Sequence, residues 1–379
     1  EIIFANEPLL RIEAPLIQAQ IMETAILNIV NYQILIATKA ARIKHLCPDE
    51  VCMEFGTRRA HEFDAAIWGT RASIIGGFDA TSNVKAAKLF NIPCSGTHAH
   101  SFVQAYEDEE VAFKKYAAAH KDCYFLVDTY DTLRSGIPTA IKVADELKDK
   151  INFHGIRLDS GDIAYLSKEA RKMLDEAGYP NAKIVASNDL DEDTITHLKQ
   201  EGACIDAWGV GTKLITAFDN PALGAVYKLA CLENDKGEMI DRLKVSENPA
   251  KLTVPGVKRV YRIINTETGM AAGDYIALEK EDVNAEQSIK LFHPTHTYLA
   301  KEVENFKAID IHEDIFVNGK QVYEVPTVQE SAKYFQQNKE LLWSEYLRLL
   351  NPEFYPVDLS TKCWENRKEI LERVTKKSK

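Results

Sequence analysis

Apolar residues recur at helical spacing from Pro15 to about His45, and this spacing predicts one long helix that begins near the proline. The stretch before it, EIIFANEPLLRI at residues 1–12, contains short apolar runs that are typical of one or two strand pieces. The first part of the chain is therefore predicted to be extended and then helical.

Beyond residue 50, short runs of β-forming residues each precede a polar turn and a helical segment. In chain order these runs are VCMEF, SIIGGF, IPCSG, CYFLV, FHGIRL, KIVAS and DAWGV. Seven such units between about residues 51 and 230 predict a parallel sheet with right-handed crossovers. Because the units are nearly equal and no GxGxxG motif opens the series, we expect a closed or nearly closed α/β barrel rather than an open doubly wound sheet.

The pattern changes again after Lys228. The turns NDKG, NTETG and VNGKQV separate β-rich runs and predict hairpins, and a helical pattern follows near residues 327–350. The fold class is therefore α/β, with a barrel, a second, β-rich domain and a helical C-terminal tail. The predicted segments are 1–45 (a strand and the long helix, completing the second domain and leading into the barrel), 46–230 (the barrel with the active site), 231–325 (the β-rich domain) and 326–379 (the tail).

Composition narrows the class of protein. The chain is 45% hydrophobic and 27% charged, as in an ordinary soluble enzyme, and no unbroken apolar run reaches the roughly 18 residues of a membrane span. A net charge of −11 without a block of Lys and Arg argues against nucleic acid as a partner. Seven scattered cysteines without a CxxC motif indicate reduced thiols and a cytoplasmic location. Residue 1 is a glutamate, so we expect the chain to begin inside a longer protein.

The loops that follow the strands of a parallel barrel meet at one end, and all seven of these loops are polar here. After the first run, Phe55 offers a platform for a ring, and Arg58 can clamp a phosphate or carboxylate unless it is simply an exposed arginine at a helix start. The stretch DATSN presents hydroxyls and an amide that either cap a helix or bind an anion.

Two later loops carry further candidates. Arg157 and Asp159 alternate out of one strand and so face the same side, where they need either each other or a ligand, because isolated buried charges are costly. In WGVGTKL, Gly209 and Gly211 let backbone N–H groups approach a phosphate beside Thr212. A plain glycine-rich turn is the alternative for this second loop.

The stretch IPCSGTHAHSF places two histidines two residues apart. His98 and His100 could form a metal pair of the HxH type found in barrel metallohydrolases. They could also be one catalytic imidazole beside a bystander, or two residues that cap a helix. His154 cannot complete a metal site, because it lies three residues before Arg157 and so on the opposite face of that strand.

Long stretches of this sequence resemble the nicotinate phosphoribosyltransferase family. They are EFGTRRAHEFDAA, GGFDATSNVKAAKLFNIPCSGTHAHSF, GIRLDSGD and WGVGTKLITAFDNPALGAVYKL, and the similarity runs through roughly residues 1–350. The resemblance implies synthesis of nicotinate mononucleotide and pyrophosphate from nicotinate and phosphoribosyl pyrophosphate (PRPP), coupled to ATP hydrolysis. It also implies Mg²⁺, an irregular (TIM-like) α/β barrel with a second domain, and a homodimer with a shared active site. The resemblance leads us to expect that the family's upstream segment, which supplies a tyrosine to the partner's site, is missing from this chain.

The resemblance also assigns roles. His100 matches the family's fixed histidine, which ATP phosphorylates transiently, and Asp128 orients it. Asp159 lies near the ribose hydroxyls or Mg²⁺. Phe55 stacks on the pyridine ring, and Arg157 faces the nicotinate carboxylate. The other residues expected to bind substrate are Arg58, Thr81, Ser82, Ser187, Asn188, Asp189, Gly209, Gly211 and Thr212.

Ser82 bears on the choice of substrate, because relatives that use nicotinamide carry an aspartate there, and an aspartate would repel a carboxylate. Three alternatives remain. The first is a phosphoribosyltransferase for nicotinamide or quinolinate. The second is a non-catalytic nucleotide-binding remnant. The third is a barrel metallohydrolase that uses His98 and His100.

Overall fold

The structure is a computed structural model that describes residues 1–245 and 253–377. The chain forms two compact units. The first, which we call the barrel unit, comprises Asn28–Leu223 and Thr327–Ala332. The second, which we call the β-rich unit, comprises Glu1–Leu27, Gly224–Pro326 and Lys333–Lys379. The four segments expected from the sequence stay a prediction.

Helix α1 spans Leu16–Leu46, as the helical spacing predicted. Pro15 directly precedes it, where a missing N–H is tolerated. In the barrel unit its buried side chains include Leu35, Ile36 and Ile43. Residues 1–12 form no strand, contrary to expectation, and residues 5–6 form a turn.

By length and average hydropathy alone, α1 could cross a membrane, and no other helix in the described residues passes that test. A single helix of this kind is weak evidence for a membrane span, because core helices of soluble proteins have the same length and hydropathy. Gln and Asn residues interrupt the apolar positions along α1.

The barrel unit is built on a curled, half-barrel sheet of six parallel strands in the order β2-β1-β6-β5-β4-β3. The strands are β1 (Val51–Glu54), β2 (Ala80–Thr81), β3 (Asp122–Leu126), β4 (Asn152–Leu158), β5 (Lys183–Asn188) and β6 (Ala207–Val210). The helices are α2 (Phe63–Ile75), α3 (Val84–Phe90), α4 (His100–Gln104), α5 (Glu109–Ala119), α6 (Ile137–Glu146), α7 (Ile163–Glu176), α8 (Glu192–Gln200) and α9 (Thr212–Ile215). A 3₁₀ turn covers Thr57–Arg59 and a π-helical turn covers Thr132–Gly136.

Five of the seven expected strands are present, and the predictions of a strand at SIIGGF and at IPCSG are wrong. In SIIGGF, residues 73–75 end α2, and the strand begins later, at Ala80. Because α2 is buried on most sides, its apolar residues run together, and periodicity cannot distinguish such a helix from a buried strand. IPCSG contributes one isolated bridge, between Cys94 and Thr81.

A small cluster of apolar side chains packs separately from the larger core of the barrel unit. Met53, Ala80, Val185 and Ala207 form this cluster, with Phe55 packed against it. The larger core lies between the sheet and its surrounding helices. Because all six strands are parallel, the loops after them lie at one end of the sheet, and the candidate site is built from those loops.

The β-rich unit contains a four-stranded sheet in the order β13-β9-β10-β16 and three two-stranded hairpins. Its strands are β7 (Cys231–Glu233), β8 (Met239–Asp241), β9 (Lys258–Asn265), β10 (Ala271–Leu278), β11 (Ser288–Phe292), β12 (Ala300–Glu304), β13 (Phe306–Asp310), β14 (Phe316–Val317), β15 (Lys320–Gln321) and β16 (Val357–Leu359). Short 3₁₀ turns cover Val283–Ala285 and Ser344–Leu347, and helix α11 covers Thr361–Lys377. Helix α10 (Val328–Glu340) begins in the barrel unit and belongs to the β-rich unit from Lys333 onward. The hairpins β7–β8, β9–β10 and β14–β15 confirm the three predicted turns.

Candidate active site

His100 is the first residue of α4 and lies among three polar side chains from neighbouring loops. Its Nδ1 is 3.1 Å from Oγ1 of Thr129. Its Nε2 is 3.5 Å from Oδ2 of Asp159 and 3.9 Å from Oδ1 of Asp128. About a third of the side chain, 36%, is exposed, so a reactant can reach the ring from solvent.

Asp128 follows β3 and is fixed by the loop after β4. Its Oδ2 accepts hydrogen bonds from the backbone N–H of Asp159 at 2.9 Å and from the hydroxyl of Ser160 at 2.6 Å. Its Oδ1 is buried and has no hydrogen-bond partner. A buried carboxylate oxygen without a partner is costly, and this one faces His100.

Arg157 and Asp159 lie on one side of β4, as their alternation predicted, and form an ion pair with Nη2 and Oδ1 2.9 Å apart. Arg157 also donates from Nε to Oγ of Ser187 at 2.8 Å and from Nη1 to Oγ1 of Thr97 at 2.7 Å. Three of the five guanidinium N–H groups are therefore used, and two remain for a ligand. Ser187 donates a further hydrogen bond to Asp159.

The charge of Asp159 is stabilised by these neighbours. Burial by itself would raise the pKa of Asp159, but the charge of Arg157 and the hydrogen bonds from Ser187 and Arg157 outweigh it, so the pKa is lowered. The residue is thus an ionised carboxylate whose Oδ2 remains directed at His100.

Phe55 follows β1 and forms a half-buried aromatic wall beside this charged cluster. The guanidinium carbon of Arg157 lies 5.7 Å from the centre of its ring. A Cβ atom on Gly209 would lie 2.6 Å from the same ring, so glycine is required there for Phe55 to keep its place. Gly209 therefore has a packing role in addition to the phosphate contact expected of it. A Cβ on Gly211 would lie 3.3 Å from the carbonyl oxygen of Phe55.

The loop after β2 contains a helix cap. Asn83 caps α3 by accepting the N–H of Ala86 at 3.0 Å, which is the capping role considered for DATSN. Thr81 is fully buried and its hydroxyl donates to the carboxylate of Glu54, so this side chain lies beneath the surface of the site. Ser82 is exposed.

The remaining expected residues lie at the same end of the sheet. Asn188 ends β5 with a positive φ of 119°, and Asp189 follows it; both side chains are exposed. Thr212 begins α9 directly after Gly211. Arg58 is exposed in the 3₁₀ turn after β1. The structure therefore brings every expected site residue to the carboxyl ends of the strands or to the loops that follow them, but their contacts with substrate stay predictions.

His98 has a different environment from His100. It is 7% exposed, and its Nε2 accepts the backbone N–H of Leu126 at 3.1 Å. Its ring packs among the aromatic rings of Phe102, Phe113, Tyr116 and Phe125. Burial lowers the pKa of His98 to about 4, so the imidazole is neutral near pH 7.

The metal-pair interpretation does not agree with this geometry, because the Nε2 lone pair of His98 is occupied by Leu126. Within residues 1–245 and 253–377, no group of three or more His, Cys, Asp or Glu side chains could hold a metal ion. A Mg²⁺ ion bound jointly by protein and substrate phosphates needs only one or two carboxylates. Oδ1 of Asp128, which has no hydrogen-bond partner, and Oδ2 of Asp159 fit that smaller requirement.

Three polar residues of this cluster were not among the expected site residues: Thr97, Thr129 and Ser160. Thr129 and Ser160 directly follow Asp128 and Asp159, so adjacency to a strand-end aspartate could have found them. Thr97 could not be found in that way, because its contact with Arg157 joins residues 60 positions apart.

Comparison with known proteins gives a consistent result. Residues 51–246 match the model of the "Nicotinate phosphoribosyltransferase (NAPRTase) family", and residues 257–367 match the "Nicotinate phosphoribosyltransferase C-terminal domain". A nicotinate phosphoribosyltransferase of Bacillus subtilis (strain 168) is 63% identical over 374 residues, which cover 99% of this chain and 76% of that protein. One from Caenorhabditis elegans is 33% identical over 96% of this chain and 74% of its own length. The crystal structure of human nicotinic acid phosphoribosyltransferase is similar with a TM-score of 0.77 and 27% identity, covering 94% of this chain and 78% of that one.

Proposed function

Because the chain belongs to the nicotinate phosphoribosyltransferase family, we propose that it makes nicotinate mononucleotide and pyrophosphate from nicotinate and PRPP, in NAD biosynthesis, with ATP hydrolysis through a phosphohistidine at His100. The observation that carries the ATP coupling is the placement of His100, exposed to reactants and faced by the carboxylates of Asp128 and Asp159.

The two ring nitrogens of His100 have different surroundings. Nε2 faces the two carboxylates, and a carboxylate favours the N–H form of the nitrogen beside it. Nδ1 then carries the lone pair, and the hydroxyl of Thr129 donates to it until a phosphoryl group approaches. Attack by Nδ1 on the γ-phosphorus of ATP forms an N–P bond and releases ADP. The imidazolium that results keeps its Nε2 proton against Asp159 and Asp128, as in other histidine–carboxylate pairs.

The pyridine ring is proposed to bind against Phe55. The two unused N–H groups of Arg157 support a contact with the nicotinate carboxylate, since a guanidinium pairs strongly with that group. In glycosyl transfer the ring nitrogen forms a bond to C1′ of the ribose while the bond from C1′ to pyrophosphate breaks. The exposed, neutral Ser82 supports an acid rather than an amide as the substrate.

Mg²⁺, delivered with the ATP and PRPP phosphates, would be held by Oδ1 of Asp128 and Oδ2 of Asp159. Its chemistry would be to offset the phosphate charge. We also propose a homodimer with a shared site and a cytoplasmic location. All seven cysteines are free, which supports a reducing compartment.

Product analysis tests this function. The purified protein is incubated with PRPP and Mg²⁺ plus nicotinate, nicotinamide or quinolinate, with and without ATP. We expect nicotinate mononucleotide from nicotinate, in larger amount with ATP. Product from nicotinamide or quinolinate in preference to nicotinate would support the sister substrates. No product from any of the three would support a nucleotide-binding remnant.

A further inference from the structure

Glu54 is a fully buried carboxylate at the end of β1, directly beneath the candidate site. Its Oε2 accepts hydrogen bonds from the hydroxyl of Thr70 at 2.9 Å and from the hydroxyl of Thr81 at 2.6 Å. Its Oε1 accepts the backbone N–H of Gly56. One side chain thus joins the loop after β1, helix α2 and strand β2.

The segments that Glu54 joins carry two residues of the proposed pyridine site. Phe55 lies between Glu54 and Gly56, so the hydrogen bond from Gly56 closes a tight loop around the Phe55 backbone. The backbone carbonyl of Glu54 also accepts the N–H of Ser82 at 3.0 Å. Both the main chain and the side chain of Glu54 therefore fix the loop after β2, on which Ser82 is exposed.

The partners of this carboxylate are one amide and two hydroxyls, none of them charged. Burial raises the pKa of Glu54, against the hydrogen bonds from Thr81, Gly56 and Thr70. The buried Asp274 of the other unit, by contrast, pairs with the guanidinium of Arg262, with Oδ2 and Nη2 2.8 Å apart. A carboxyl group buried without a cation is a costly way to build a core. The position of Glu54 next to Phe55 indicates that the carboxylate serves to fix the aromatic ring in place.

We propose that Glu54 is a positioning residue for the pyridine ring, which fixes Phe55 and Ser82 at the mouth of the half-barrel so that nicotinate binds in one orientation. This inference rests on the proposed function. Glu54 does not touch substrate in this account, because it is fully buried. It acts through the two loops that it joins, and its loss is therefore expected to affect ring binding more than PRPP binding.

Steady-state kinetics of Glu54→Leu and Glu54→Gln test the proposal. Leucine removes the carboxylate that accepts from Gly56, Thr70 and Thr81, so the two loops lose their common hydrogen-bond partner. We expect the KM for nicotinate to rise at least about tenfold, with the KM for PRPP within about twofold of the parent. Glutamine keeps one acceptor oxygen and should fall between leucine and the parent. A nicotinate KM at the parent value in Glu54→Leu, or an equal rise in the PRPP KM, would overturn the inference.

A second pair of variants keeps the test decisive if Glu54→Leu does not fold. Thr70→Val removes a hydroxyl partner while keeping the side-chain shape, and should raise the nicotinate KM. Thr70→Ser keeps the hydroxyl and should restore it. Equal nicotinate KM values in the two variants would contradict the proposal.

A control variant in the β-rich unit separates positioning from general destabilisation. Asp274→Asn, in the β-rich unit, should lower the thermal midpoint without raising the nicotinate KM, and a rise as large as that of Glu54→Leu would count against a positioning role. If the parent enzyme forms no nicotinate mononucleotide, the proposed function fails and this inference with it. If the parent forms it and the Glu54 and Thr70 variants bind nicotinate normally, this inference alone fails.

Discussion

Nε2 of His100 lies 3.5 Å from Oδ2 of Asp159, and the same carboxylate holds Arg157 through its other oxygen at 2.9 Å. One aspartate therefore connects the proposed nucleophile with the proposed ring-binding arginine. The pKa of Asp159 is lowered although burial alone would raise it, so the carboxylate is charged when it faces either group. His100 and Arg157 thus contact the same half-buried side chain.

Arg157→Ala is expected to reduce discrimination between nicotinate and nicotinamide about 10²-fold or more in kcat/KM, because a guanidinium–carboxylate pair is lost that an amide substrate never formed. Arg157→Lys should not restore it, since an ammonium cannot contact Asp159, Ser187 and Thr97 together. Competition assays with both substrates measure the ratio. Arg373→Ala, at an exposed position of α11, should keep the parent ratio. A parent-like ratio in Arg157→Ala would remove Arg157 from the ring site.

Gly209→Ala is expected to raise the nicotinate KM about tenfold, because its Cβ would lie 2.6 Å from the Phe55 ring and displace it. Gly202→Ala is the matched control. It strains a backbone with φ of 73° at a position with open space around it, so it should lower stability and leave the nicotinate KM unchanged. The assay is initial-rate kinetics at saturating PRPP. Equal nicotinate KM values for Gly209→Ala and the parent would show that Phe55 does not contact the ring.

His98 predicts how stability depends on pH. Its folded-state pKa is about 4 against an ordinary 6.5, so between these values the unfolded chain binds a proton that the folded chain does not. Stability must therefore fall as the pH drops through this window. Between pH 7 and pH 5, His98 is expected to lower the free energy of unfolding by about 2 kcal/mol. This pH dependence should disappear in His98→Gln, because glutamine keeps an acceptor for the N–H of Leu126 but does not titrate.

Urea unfolding at the two pH values measures this difference. His197→Gln, which changes an exposed histidine of α8, should behave as the parent does. The same pH dependence in His98→Gln and the parent would mean that His98 is not buried in its neutral form.

The sequence predicted the elements that depend on local pattern. Periodicity and turn residues predicted helix α1, five of the six strands in the barrel unit and three hairpins of the β-rich unit. Alternation along β4 predicted the contact between Arg157 and Asp159. The prediction of a strand at SIIGGF was wrong because α2 is buried on most sides. Its sequence therefore lacks the periodicity that distinguishes a helix from a strand.

The two histidines show what a local sequence pattern cannot predict. A strand would have placed His98 and His100 on one face, but His100 begins α4 and His98 turns toward Leu126, 28 residues further along the chain. The hydrogen bonds from Thr70 and Thr81 to Glu54 likewise join residues 16 and 27 positions apart. Such contacts are set by the packing of the sheet, and no spacing rule within a short stretch predicts them.

The most direct test of the central claim is labelling of the protein by γ-³²P-ATP with Mg²⁺ in the absence of nicotinate and PRPP. We expect a label that is stable in alkali and lost in acid, as a phosphoramidate on imidazole is, and that resides on Nδ1 by phosphorus–proton correlation NMR. His100→Asn should abolish both the label and the stimulation of synthesis by ATP, while His98→Gln should still be labelled. Asp128→Asn should be labelled more slowly, because an amide no longer favours the Nε2–H form of His100. A label that persists in His100→Asn would contradict the account.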